Sequence, residues 1–252
     1  MQQLSNRYQI SLNPKYESCR DFCEHIDIHF DDQQESMHKA RNEIKKIPCA
    51  GYTFVVKSFK VPHLLNRIVY TYFRGSKAKK SYENALKLQQ LNINTPEPVA
   101  AIQELTPTLH KSYFISIAFD YDFTLRAPLR NPDFEDRVEL FQAFARFTAK
   151  LHENGVLHND YSQGNILIKK EQDDYTFSVV DINRMEFRPL SRQERYKNFS
   201  RLWADRDVLE IIAKEYAKIA GYDVQEAIDE ICAFDQKHKK FKQFKRLFKK
   251  QK

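Results

Sequence analysis

The hydrophobic pattern of this chain changes its period near residue 133, and that change limits the folds open to it. Upstream, apolar side chains come in short runs rich in β-branched and aromatic residues, such as "YTFVVKSFK" (52–60) and "KSYFISIAF" (111–119), which read as strands. Downstream, in "DFEDRVELFQAFARFTAKLHENG", Leu140, Phe144, Phe147 and Leu151 recur at i, i+4, i+7 and i+11, one buried helical stripe. Strands gathered in front and helices behind predict an α+β chain.

The punctuation fills in the order. "SMHKARNEIKKI" and "YTFVVKSFK" flank the turn signal "PCAG" and predict a β-hairpin. "SKAKKSYENALKLQQLN" then reads as a helix, with Ser76 as its cap and Tyr82, Ala85 and Leu86 at i, i+3 and i+4. "TPEPVAAIQEL" and "KSYFISIAF" follow as strands. The long helix after residue 133 stops at Asn154-Gly155. "NILI" and "YTFSVVDI" form a second hairpin across the polar turn "KKEQDD". From about residue 191 the chain reads as helices, including "KNFSRLW", "VLEIIAKEYAKIA" and a basic end. The irregular, proline-containing stretch 117–132 marks the boundary: a strand-rich part with one helix over 1–120, and a mainly helical part over 121–252.

Composition excludes several classes. The chain is 252 residues long, 42% hydrophobic and 30% charged, an ordinary globular balance. Its longest apolar runs fall far short of the roughly 18 residues a spanning helix needs. "MQQLSNRYQISLNPKYE" lacks the basic-then-apolar order of a secretory signal. Cys19, Cys23, Cys49 and Cys232 have no metal-type spacing and read as reduced thiols, so the expected compartment is the cytoplasm. The net charge of +7 is a local property: residues 237–252 hold nine Lys/Arg and no acid, which leaves 32 basic against 34 acidic residues elsewhere.

Against that frame, "LHNDYSQGNILI" sets Asp160 five positions before Asn165, which opens a strand. Either residue alone would read as a cap on local backbone groups. Asp181, however, closes the partner strand in "FSVVDI", and a hairpin brings Asn165 and Asp181 together. An amide oxygen beside a carboxylate is a hard-oxygen pair of the kind Mg²⁺ accepts, its other positions going to water and phosphate. Lys57 stands inside the apolar strand "FVVKSFK", where it either reaches solvent or points into a cleft. Lys60 competes with it but, three residues along, faces the other way. Glu83, the only acid in 76–91, sits on the following helix and could orient a phosphate-holding lysine.

"FVVK", "SYENAL", "VLHNDYSQGNILI" and "VVDINR" occur in the order of the protein-kinase-like fold. More closely, "FKVPHLLNRIVYTYFRGSKAKKSYENALKL", "TPEPVA", "VLHNDYSQGNIL" and "VDINRMEF" resemble the bacterial lipopolysaccharide kinase family of the Kdo/WaaP type, over roughly residues 39–205. The resemblance implies a two-lobed fold with ATP and Mg²⁺ bound between a small antiparallel-sheet N-lobe and a helical C-lobe. It makes Asp160 the catalytic base or hydroxyl-orienting residue. Asn165 and Asp181 become the Mg²⁺ ligands, Lys57 contacts the α/β-phosphates, and Glu83 holds Lys57. His158 becomes a buttress of the loop, and His152 a packing residue. The implied acceptor is a sugar hydroxyl, of Kdo or heptose, in the lipopolysaccharide inner core (a lipid A-core acceptor).

The departures from that pattern matter. Asn159 replaces the arginine that would answer an activation-loop phosphate, and no APE-like motif follows. Asn183 stands where the metal-binding turn has glycine; asparagine also tolerates positive φ. The hairpin expected to cover the phosphates, "HKARNEIKKI", has no glycine, leaving side chains such as Arg41 or Asn42 to substitute. A Rio-like protein kinase and a membrane-associated pseudokinase are the alternatives. In the tail, Phe241, Phe244 and Phe248 at i, i+3 and i+7 make a cationic amphipathic helix. It either packs its phenylalanines on the body or meets an anionic membrane surface as a peripheral contact. The body has no second basic stripe, which argues against nucleic acid.

Overall fold

The computed structural model describes residues 8–39, 42–61, 63, 75–106, 108–172 and 174–249, and side chains as far as residue 246. Arg41 and most of the quoted stretch 62–74 therefore lie outside the described residues, as do the side chains of Leu247 and Phe248. The chain divides into two compact units, 1–119 and 120–252.

The first unit is built on a six-stranded antiparallel sheet. Its strands are β1 (Tyr8–Leu12), β2 (His38–Lys39), β3 (Glu43–Cys49), β4 (Tyr52–Phe59), β5 (Pro98–Leu105) and β6 (Leu109–Ile117), in the spatial order β1-β5-β6-β4-β3-β2. The predicted β3–β4 hairpin forms, with Cys49 opposite Tyr52 across the Ala50-Gly51 turn. Helix α3 (Lys77–Gln90) is capped by Ser76, whose hydroxyl accepts from the Lys79 amide. It buries Ala78, Tyr82 and Ala85 against the sheet.

One helix had been expected in this part; the structure has more. A 3₁₀ turn at Pro14–Cys19 leads into α1 (Arg20–Glu24) and α2 (Ile26–Asp32). Together they carry Tyr16, Cys19, Phe22, Cys23, Ile26 and Phe30 onto the sheet face away from α3. Phe54, Val56, Ile102, Tyr113 and Ile115 meet them there. The sheet is thus covered on both faces, which is why β5 ("PVAAIQEL") is buried nearly throughout and shows no alternation. All four cysteines are free thiols. Burial pushes the Cys23 thiol up to about 12, so it is unreactive at neutral pH.

The second unit contains short strands and long helices. They are β7 (Phe123–Thr124), α4 (Arg126–Arg130), α5 (Arg137–Glu153), β8 (Val156–His158), β9 (Ile166–Glu171), β10 (Asp174–Val179), β11 (Met185–Phe187), α6 (Arg192–Phe199), α7 (Arg206–Ala220) and α8 (Val224–Lys249). Strands β10-β9-β7 form one antiparallel sheet and β11-β8 another. Leu140, Phe144 and Leu151 of α5 are fully buried, while Phe147 is half-buried and stacks on Phe177 at 5.4 Å. Expected helix "KNFSRLW" starts earlier, at Arg192, where Ser191 and Glu194 form a capping box, and ends at Phe199.

Gly155 ends α5 with φ +69°, a conformation glycine adopts without cost. A Cβ there would lie 2.7 Å from the Arg188 carbonyl oxygen, and the Arg188 amide donates to Gly155 O at 2.8 Å. Close approach and backbone sign both demand glycine. Gly155→Ala is expected to lower unfolding free energy by about 2 kcal/mol, measurable by urea denaturation.

Candidate functional site

Two short ladders fix the stretch around Asp160. Strand β8 pairs with β11, His158 opposite Met185, and β9 pairs with β10, Ile166 opposite Val179. The loop 159–165 is therefore pinned at both ends against residues 180–184. Within it, Ser162 N–H donates to Asp160 O at 2.7 Å and Asn165 N–H to Ser162 O at 2.9 Å. Val180 N–H closes the frame by donating to Asn165 O at 3.0 Å. Tyr161 anchors the loop in the core: its ring is fully buried beside Phe144 and its hydroxyl meets Thr148 Oγ1 at 2.8 Å.

Asn165 Nδ2 donates to the Asp160 carbonyl at 2.9 Å. A carbonyl can only accept, so the amide orientation is fixed and Oδ1 is turned to the other side as an acceptor. Asp181 lies just past the end of β10, next to Asn165 by register, and accepts from Asn183 Nδ2 at 2.7 Å. Its own backbone is left-handed, φ 57° and ψ 44°. Asn183, noted as able to tolerate positive φ, sits in the 3₁₀ turn that follows, and the positive φ is at Asp181. An aspartate tolerates this better than most residues because its short side chain bonds locally. The set Asn165 Oδ1 with the Asp181 carboxylate fits a hard divalent cation in chemistry.

Histidine tautomers in this unit are set by their partners. His158 Nδ1 accepts from the Asp160 amide at 3.1 Å, so Nε2 bears the proton and donates to Val180 O at 2.9 Å. Burial lowers the His158 pKa, keeping it neutral. It is a strut between the two ends of the frame. His152 is likewise buried: Nε2–H donates to Asn198 Oδ1 at 3.1 Å and Nδ1 accepts from Tyr216 at 2.9 Å. Asn198 Nδ2 then donates to His158 O at 3.0 Å. Burial brings the His152 pKa down to about 4. A depressed histidine pKa contributes stability that is complete above about pH 6.5 and lost as pH falls toward 4. We expect an acid loss of about 3 kcal/mol from His152. A pH series of denaturant melts checks it, with His152→Gln flattening that window.

The sequence did not show the contacts that several side chains make here. Asn159 is engaged by structure: Nδ2 donates to Arg184 O at 2.9 Å and Glu186 Oε1 at 2.8 Å, tying the loop to β11. Arg184 Nη1 stands 3.9 Å from Asp160 Oδ2. The Arg126 guanidinium lies against Gly164, where a Cβ would meet it at 2.9 Å. Arg184 was visible in "VVDINR"; nothing in sequence tied Arg126 to a loop 38 positions away.

In the first unit, the two candidate lysines are placed differently. Lys57 shares its face with Phe59, and opposite it on β6 is Phe114, both packed with α3. Its Nζ is 5.3 Å from the Phe59 ring centroid. Lys60 lies beyond the end of β4 and is exposed. Glu83 is on α3, half-exposed, with Lys79 Nζ 4.0 Å from its carboxylate. Lys57 and the helix of Glu83 therefore occupy one side of the sheet. Asn42 Oδ1 receives the Lys60 amide at 3.4 Å.

Residues 59–222 match the family model described as "Lipopolysaccharide kinase (Kdo/WaaP) family". A curated 3-deoxy-D-manno-octulosonic acid kinase from Mannheimia succiniciproducens is 25% identical over 118 residues, 46% of this chain. The chain spans about half the length of that relative, 48%. The solved structure of WaaP in complex with acyl carrier protein matches with TM-score 0.65 at 16% identity, covering 92% of this chain and 98% of that one. At that identity the likeness establishes a shared kinase-like fold.

Proposed function

Because the chain belongs to the lipopolysaccharide kinase (Kdo/WaaP) family, a phosphotransferase family, we propose that it transfers the γ-phosphoryl group of ATP to a sugar hydroxyl of the lipopolysaccharide inner core. Kdo or heptose is the acceptor. The observation that carries this reading is the loop frame, in which Asn165 Nδ2 bonds the Asp160 carbonyl and the register of the hairpin brings the backbone of Asp181 next to that of Asn165.

In this reading Asp160 orients the acceptor hydroxyl and receives its proton as the oxygen bonds to phosphorus and the bond to ADP breaks. Asn165 and Asp181 would hold Mg²⁺, which when bound neutralises charge on the phosphate oxygens. Lys57 would contact the α/β-phosphates, and Glu83 would orient Lys57. Positioning supplies most of the rate, since phosphoryl transfer asks little covalent chemistry of the protein. The loop's bonds to His158 and Tyr161 provide that rigidity.

The test is the mass of a lipopolysaccharide core preparation after incubation with protein, ATP and Mg²⁺. A gain of one phosphate supports the reading. Phosphate appearing only on polypeptide would favour the Rio-like alternative. The glycine-less 38–47 segment favours a second reading, a pseudokinase, and that one predicts no Mg²⁺-dependent ATP consumption with any acceptor.

A further inference from the structure

The C-terminal helix has a feature that phosphoryl transfer leaves unexplained. Along α8, Ala227, Ile228, Ile231, Cys232 and Asp235 are buried against the second unit. Beyond them the helix continues, and residues 240–246 are exposed. Phe241 and Phe244 are 53% and 58% exposed. At 100° per residue Phe241 and Phe244 sit roughly 110° and roughly 170° round the helix from the centre of the buried stripe. The apolar face of the tail is therefore a different face from the one that packs, and the expected alternative of phenylalanines packed on the body does not hold for these two.

Charge surrounds that face. Lys237, Lys240, Lys242, Lys245 and Arg246 have no acid among them, and residues 237–252 contain none at all. Lys245 Nζ lies 4.6 Å from the Phe241 ring centroid, its stem beside the aromatic surface. Lys239 does the anchoring, donating to Ala204 O at 2.6 Å and pairing with the buried Asp235 at 2.7 Å. Next to it Trp203, 40% exposed, stands 6.0 Å from the His238 ring on the flank of the same helix. Phenylalanines on one side and lysines on both flanks match a flat anionic boundary: rings enter the acyl edge while ammonium groups stay among headgroups. No helix among the described residues is long and apolar enough to cross a membrane.

We infer that residues 237–249 are an interfacial helix that lays Phe241 and Phe244 into the surface of an anionic lipid bilayer, with Trp203 at its margin. The inference is independent of which acceptor the protein uses. Full-length protein is mixed with phosphatidylcholine vesicles, and separately with vesicles in which roughly a third of the lipid is phosphatidylglycerol. Sedimentation with the anionic vesicles alone is expected, weakening at least about tenfold in high salt. Trp203 is the single tryptophan, so its emission should shift to the blue on binding. The pair Phe241→Ser, Phe244→Ser should weaken binding about tenfold with an unchanged melting curve, since both rings are mostly exposed. Replacing Lys237, Lys240, Lys242 and Lys245 by Gln should remove the preference for anionic lipid. The inference is overturned if the intact protein does not sediment with anionic vesicles. It is equally overturned if the serine pair binds them as well as the parent, or if a soluble acidic protein or RNA engages the phenylalanine face while vesicles do not.

Discussion

Asp160→Asn is expected to lower kcat for phosphoryl transfer about 10³-fold, while nucleotide affinity should stay within about twofold. The substitution keeps the shape of the side chain and removes its basicity. Among the described residues, the hydrogen bonds that hold the loop at this position use the main chain: the amide to His158, and the carbonyl from Ser162 N–H and Asn165 Nδ2. Those survive. The contact with Arg184 is long, 3.9 Å, and both groups are substantially exposed, so its loss costs little stability. Single-turnover transfer to lipopolysaccharide core, with calorimetric ATP binding and a thermal melt alongside, separates chemistry from folding. A variant that transfers phosphate at the parent rate would remove Asp160 from the chemistry while leaving the family and fold intact.

What could be read from sequence follows the length and regularity of each signal. The second hairpin has apolar strands and a polar turn, so the proximity of Asn165 and Asp181 was legible from period alone. That Lys57 shares one side of β4 with Phe59 follows from strand parity, whereas whether that side meets solvent or a cleft was left open by the sequence. Helices α1 and α2 were missed although Tyr16, Cys19, Cys23, Ile26 and Phe30 fall near helical spacing. The segment is broken by a kink at Tyr16 and again at His25, so no single window holds a full period. Strands β8 and β11 have three residues each, too few to show alternation. Their pairing is a tertiary choice.

The polar support of the loop was the least legible part. His152, Asn198 and His158 form one chain of contacts across partners 46 and 40 positions apart. Nothing local marks them. Sequence reading could assign both histidines to packing or buttressing rather than chemistry, but the agent joining them, Asn198, emerges only when α6 is set against β8. The left-handed backbone at Asp181 is similar. Asn183 was noted only as a residue that tolerates positive φ, whereas the left-handed backbone lies at Asp181, just past the bond from Val180 N–H to Asn165 O.

That left-handed backbone sharpens the second large effect. Asp181→Asn is expected to leave the melting temperature within about 2 °C, because asparagine accepts left-handed φ at least as readily as aspartate. Its amide oxygen can also still receive the Asn183 bond, 2.7 Å in the parent. What disappears is the negative charge beside Asn165. With one hard anionic ligand reduced to a neutral one, turnover at moderate Mg²⁺ should fall about 10²- to 10³-fold, and the Mg²⁺ concentration for half-maximal rate should rise. Partial recovery at high Mg²⁺ would mark the loss as one of metal affinity rather than fold. Titrating Mg²⁺ against transfer rate in parent and variant reads this directly. Superimposable titrations would place the metal elsewhere and reduce Asp181 to a residue that terminates a strand.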